Sequence, residues 1–240
     1  MAPPTYPAGT GYVPDGGFEP VQRSARFMSL MLGFIVAIQI LAIPSEFFLR
    51  NQARRFLDGE IGLETFKSAI RREQSLAGAL SAFQIVVAVS TIVWMRKMIR
   101  NNRRLGRPGS KWSPTWGFVG WLVPPGAIYA VPWLIFKELW RGSDPANLPN
   151  DPNWKTRPVT PLIHVWWVLF GFVPILSALL SPRFTLGLSS QVDARDVAEF
   201  YTDQFWVQLL ITAAGLASAL IYGWMVRTMS ARQTALWDRY

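Results

Sequence analysis

The chain has 240 residues, 50% of them hydrophobic, and carries 24 Lys and Arg against 15 Asp and Glu, a formal charge of +9. It contains no cysteine, which excludes disulfides, thiolate nucleophiles and cysteine-ligated metal. A basic excess raises the question of nucleic acid, but Lys and Arg concentrate beside long apolar runs, the pattern of cytoplasmic retention in membrane proteins, and no nucleic-acid partner is expected.

Residues 1–22 are rich in Pro, Gly and Tyr and poor in aliphatic side chains, which predicts a disordered cytoplasmic tail. They have neither the early positive charge nor the apolar centre of a cleaved signal peptide, so the first apolar run is expected to act as its own signal anchor. A multipass membrane domain is predicted over 23–230. Its spans fall at about 27–49, 76–95, 162–181 and 204–226, each close to the roughly 20 residues a helix needs to cross hydrocarbon. The first contains one charge, Glu46, the third only His164, and the other two none.

Between the first two spans, residues 50–74 mix six positive with four negative charges. Asp58-Gly59-Glu60 predicts a turn between two helical extensions, the second with a partial apolar face from Ile61, Phe66 and Ile70. After the second span come Arg96, Lys97, Arg100, Arg103, Arg104, Arg107 and Lys111 with no acid among them, which predicts a cytoplasmic loop. Topological retention explains such charge, and it could also hold anionic lipid headgroups.

The next apolar run, within a broken segment at 116–140, carries Pro124, Pro125 and Gly126 at its middle and Pro132 beyond. The prolines remove amide donors and push their predecessors out of helical geometry, while Gly126 permits a reversal, so two short half-helices with a turn between them are expected. Trp112, Trp116, Trp121, Trp133 and Trp140 suit the membrane interface. Charge parity gives the segment a direction. The linker after it carries Lys137, Arg141, Lys155 and Arg157, whereas the loop before the last span carries Asp193, Asp196, Glu199 and Asp203 against Arg183 and Arg195. With the first linker inside and the second loop outside, both ends of 116–140 lie on one side, and the segment dips in and returns or lies along the interface; a kinked fifth span is the competing arrangement. Ser190 to Asp193 has capping-box-like spacing, and residues 231–240 read as a second cytoplasmic tail.

Helices in lipid associate through close backbone approach and hydrogen bonding. Gly215, Ala219 and Gly223 form a small-residue stripe on the last span, with a shorter version at Gly78 and Ala82. Gln39 and Gln84 lie near the centres of their spans, and mutual pairing would satisfy both carboxamides. Glu46 and Arg50 have the spacing of an interfacial i,i+4 pair, and Pro174 should bend the third of the four spans.

Chemistry is sparse. His164, the sole histidine, reads first as an interfacial residue and only distantly as a catalytic one; there is no His-Glu-x-x-His, Gly-x-Ser-x-Gly or Walker-type phosphate loop. No cofactor is expected.

From Trp112 the chain reads Trp112-Ser-Pro114-Thr-Trp116, then Gly120-Trp121, Pro125 and Pro132, then Lys137-Glu138-Leu139-Trp140-Arg141-Gly-Ser143-Asp144-Pro145, with Trp166-Trp167 opening the next span. This resembles the bacterial multipass membrane family called domain of unknown function 4328 over most of the chain after the tail. The resemblance implies a bacterial membrane domain, often behind a Pro/Gly/Tyr-rich tail, without an assigned activity. Where that family usually places Asn and Gln after the two prolines, this chain has Ile128 and Leu134. The expectation is therefore an all-α membrane protein of the cytoplasmic (inner) membrane: four transmembrane helices, a Pro-broken re-entrant or interfacial helical hairpin, and both termini cytoplasmic. The function expected is that of a non-enzymatic scaffold or regulatory subunit, with a small-solute or lipid transporter as the alternative. Its partners would be the bilayer, anionic lipids, and a membrane protein or a second copy of the chain.

Overall fold

The computed structural model describes residues 17–121, 125–148, 150–179 and 193–239, with the side chains of 125–129, 172 and 177 left out. Every regular element among them is helical: α1 Gln22–Leu57, α2 Leu63–Arg104, α3 Trp116–Val119, α4 Pro125–Gly142, a 3-10 turn at Trp154–Thr156, α5 Pro161–Leu179, α6 Ala194–Asp203 and α7 Phe205–Trp237. Helices α1, α2 and α7 are long and apolar enough to cross a membrane. Each outruns its apolar stretch, because the Arg, Lys, Glu and Gln beyond it are good helix formers that hydropathy does not register.

The chain divides into two compact units, one drawn from 1–22, 93–159 and 229–240 and the other from 23–92 and 160–228. In the second, α1 buries Ala25, Met28, Leu32, Ile35 and Gln39 at helical spacing. Its other side exposes Leu30, Phe34, Ile40 and Leu41, so the helix is apolar all round, as membrane spans are. Helix α1 runs antiparallel to α2, with Phe34 stacked on Phe83 and Ser45 donating to Glu73. It is antiparallel to α7 as well: Leu32 lies against Gly223, Gln39 against Gly215, and Phe47 against Phe205. Gly59, with φ +75°, closes the turn between α1 and α2 at the expected place. Beside that turn, Leu49, Ala53, Phe66, Ala69 and Ala198 form a small apolar core, onto which Ile61, Ile70 and Tyr201 also pack.

The other unit joins the C-terminal turns of α2 and α7 to α4 and the linkers around it. Helices α2 and α7 run parallel there: Trp94 Nε1 donates to Ser230 (2.8 Å), and Gln233 Nε2 donates to the Met98 carbonyl and to Asn102 Oδ1 (both 3.1 Å). Trp94 also meets Phe136 of α4, ring centroids 5.9 Å apart.

Three expectations need correction. The cation-rich stretch is not a loop over most of its length, because α2 continues to Arg104 and buries Asn101 and Asn102 against Gln233. Residues 231–237 are helical, with Gln233 and Leu236 fully buried, and do not form a tail. The end of the presumed N-terminal tail is also packed: Phe18 stacks on Trp237 (5.0 Å), Val21 is fully buried, and Glu19 pairs with Arg100 (2.9 Å).

The broken segment is less symmetric than expected. Its first leg has only the single turn α3, where Gly117 and Gly120 give little helix propensity and pack closely against Arg96 and Val131. The second leg is one helix of 18 residues that starts at Pro125 and continues through the buried Pro132. Proline at the first helical position fits, since the amide it lacks would have had no intrahelical acceptor. Pro124 lies outside the described residues.

Candidate functional site

Lys137 to Pro145, the last part of the dense family-like stretch that starts at Trp112, forms the end of α4 and the turn after it. The chain leaves α2 through Gly106, whose φ of +63° only glycine adopts easily. Arg107 then turns inward, 3% exposed, and donates from Nε to the Gly142 carbonyl (2.9 Å) and from Nη1 to the Leu148 carbonyl (2.6 Å). A guanidinium can bridge two carbonyls in this way because its donors lie in a rigid fork. Asn147 completes the turn, donating from Nδ2 to the Arg141 carbonyl (2.7 Å) while its Oδ1 accepts from Arg157 Nε (3.0 Å). Asp144 accepts from the Ala146 amide (2.8 Å), which fixes the bend locally.

Glu138 faces the linker from α2. Its carboxylate accepts from the Ser110 hydroxyl and the Lys111 backbone amide, and so ties α4 to that linker. Trp140 is 5% exposed and carries the Arg232 guanidinium over its ring, 4.1 Å from the centroid. Trp154 is fully buried and donates from Nε1 to the Pro108 carbonyl (2.9 Å).

These contacts leave a pocket of about 220 Å³ lined by Lys111, Trp112, Leu134, Lys137, Arg141 and Lys155, with Glu138 in its wall. Lys137 Nζ sits 4.1 Å from the Trp133 ring centroid, and Arg141 Nε donates to the Arg157 carbonyl (3.0 Å). Lys155 donates to the Gly109 carbonyl. Among the described residues none of these four cations forms an ion pair. No group of three or more His, Cys, Asp or Glu among the described residues could hold a metal ion.

The other sequence-derived candidates fall in three groups. The stripe is a contact face: Ala219 is buried, Gly215 lies against the Gln39 carboxamide and Gly223 against Leu32. Gln39 and Gln84 are not brought together. Phe83, not Gln84, meets α1, and Gln84 points outward about 100° around the helix from it, while Gln39 fills the space Gly215 leaves. Gly78 has nothing near it and makes no second stripe.

The expected Glu46–Arg50 pair is also not made. Glu46 accepts from Thr212, and Arg50 lies over the Phe205 ring, 4.3 Å from its centroid. Ser190 lies outside the described residues, but Asp193 does cap a helix, accepting from the Arg195 amide (3.3 Å); that helix is the separate α6, which ends at Asp203 before α7 begins. Trp121 is half-buried, His164 is exposed, and Pro125 and Gly126 open α4.

The seven cations proposed for anionic lipid divide by role. Arg107 is an internal clamp, Arg100 and Arg104 bind Glu19, and Arg96 packs against Gly117. Lys97 is half-buried and Arg103 exposed, both on α2, and only Lys111 lines the basic pocket. Its other cations, Lys137, Arg141 and Lys155, count in the sequence as linker charge, and Lys137 and Arg141 also as part of the family-like motif, but none stands out there as a binding residue. Their signal was the i,i+4 spacing of Lys137 and Arg141, which puts two cations on one face of a helix.

No curated protein and no solved structure matches the chain. The family model described as domain of unknown function 4328 matches residues 60–231, which takes in α2, the broken segment, the pocket residues and most of α7. That is more than half of the chain, and the protein belongs to the family of domain of unknown function 4328.

Proposed function

We propose that this chain is a non-enzymatic scaffold or regulatory subunit of the bacterial cytoplasmic membrane, with four spans, a re-entrant α3–α4 hairpin and both termini in the cytoplasm. The observation that carries the topology is where the hairpin's two ends attach. Gly117 on the first leg lies against Arg96, Gly142 at the end of the second lies against Asn102, and Arg107 clamps the Gly142 carbonyl. Both ends belong to the C-terminal turns of α2, so a full crossing between them has no support from these contacts. Helix α5, which contains Pro174, adds a span to those of α1, α2 and α7 and makes four.

The non-enzymatic reading draws on how the buried polar groups are used. Asn101, Asn147, Arg107 and Gln233 are each engaged in holding helices and turns together. The exposed surface of the long helices is instead aliphatic and aromatic, suited to lipid and to partner helices. A transporter is the second reading, favoured by the buried Gln39, whose Oε1 has no hydrogen-bond partner within the span.

Because the chain has no cysteine, single cysteines introduced at the exposed Ala146 and Arg195 report topology directly. The reading requires 146 to be shielded and 195 accessible in intact cells; external labelling of 146 means that the segment crosses. Solute uptake by the purified protein in liposomes would replace the scaffold with a carrier.

A further inference from the structure

We infer that the basic pocket beside α4 binds a phosphoryl anion, held by Lys111, Lys137, Arg141 and Lys155, with Trp112 and Leu134 taking the apolar part of the same ligand. Four cations and one carboxylate line a single space, and the carboxylate is already engaged by Ser110 and the Lys111 amide. Lys137 lies over the Trp133 ring, Arg141 donates to a carbonyl, and Lys155 meets a carbonyl and the Trp154 ring; these neutral partners orient the cations and leave their charge uncompensated. A cleft lined by one sign of charge concentrates the opposite ion. Three ammonium groups and a guanidinium suit a phosphate ester, since the guanidinium offers a planar fork and the lysines point charges.

Beside the charge, Leu134 is exposed and Trp112 half-buried, packed edge-to-face on Trp116 (5.5 Å). An anion with an apolar body satisfies both halves of the lining. This is the chemistry of an anionic glycerophospholipid headgroup, shared by a soluble glycerol phosphate. The lipid source rests on the membrane reading above; the anion site does not.

The test uses the purified full chain in detergent, titrated with phosphatidylglycerol, with phosphatidylcholine and, separately, with glycerol phosphate. Phosphatidylglycerol is expected to bind in preference to phosphatidylcholine. Lys137→Gln with Lys155→Gln should weaken that binding about 25-fold, at roughly fivefold per charge, whereas Glu138→Gln, which removes the opposing charge, should strengthen it about fivefold. Opposite signs from neighbouring side chains are not what a loss of folding produces, and melting curves of each variant check this.

Arg23→Gln with Arg26→Gln, exposed on α1, is the control for general surface charge. Glycerol phosphate binding that the lysine pair abolishes, without a headgroup preference, keeps the site and makes its source soluble. No binding of either probe, or equal losses in the lysine pair and the control, overturns the site. The labelling at 146 fails or succeeds independently of all these arms.

Discussion

The Gln39 carboxamide occupies the space that a side chain at Gly215 would fill, so a methyl carbon added there would stand 2.6 Å from Nε2. Gly215→Ala therefore pushes the end of the flexible Gln39 side chain aside, and because that side chain is buried the cost lies at the low end of the about 1–3 kcal/mol of overpacking. Gly78→Ala meets nothing and should be neutral or stabilise by up to about 1 kcal/mol through helix propensity. Melting of the two variants in the same detergent checks the ordering, and equal melting temperatures would remove the α1–α7 contact.

Gly142 is the corresponding point at the end of α4. A methyl carbon there would stand 2.7 Å from Asn102 Cγ, with the rest of the carboxamide as close. Gly142→Ala should loosen α4 from α2 and speed proteolysis in the 105–115 linker. Protection equal to that of the parent chain contradicts the clamp.

Asn147 bonds two strands of the turn at once, and Asn147→Ala leaves the Arg141 carbonyl and the Arg157 guanidinium without it. The Arg141 carbonyl keeps the Asp144 amide and Arg157 keeps the Ala146 carbonyl, so the cost is that of two lost hydrogen bonds, about 1–3 kcal/mol together. Asn147→Asp keeps the acceptor and loses the donor, so it should fall between the alanine variant and the parent in denaturant midpoint.

Tyr201 gives a pH dependence outside the spans. Burial pushes its phenol above the ordinary value near 10, with the Glu73 charge adding to the effect. A raised pKa in the fold means that the neutral phenol's contribution is complete below pH ~10 and is lost as pH rises through the folded value. Tyr201→Phe should flatten the alkaline fall in stability and leave neutral pH unchanged; identical alkaline profiles would show that the phenol is not coupled to folding.

The sequence carried the long helices and the small-residue stripe clearly, since both depend on periodic features of one segment. The turn at Asp58-Gly59-Glu60 was equally legible because a glycine at positive φ marks it. Helix ends were not, because hydropathy stops where charge begins while Arg, Lys and Asn continue the helix of α2 to Arg104. The Gln39–Gln84 pairing failed on rotation: depth along a span is readable, but the face of α2 that meets α1 is set by Phe34 and Phe83 together. The pocket was least legible, as Lys111, Arg141 and Lys155 come from separate elements that contacts of Arg107, Glu138, Asn147 and Trp154 bring to one place.

The stacking of Phe18 on Trp237, with Glu19 bound to Arg100 and Asn101, fastens the start of the described chain to its end. Removing the last few residues strips the seat from the first ones, so C-terminal truncations act on both extremities together. Probes attached at Gly17 and at Asp238 would be held close together, a pair suited to proximity labelling.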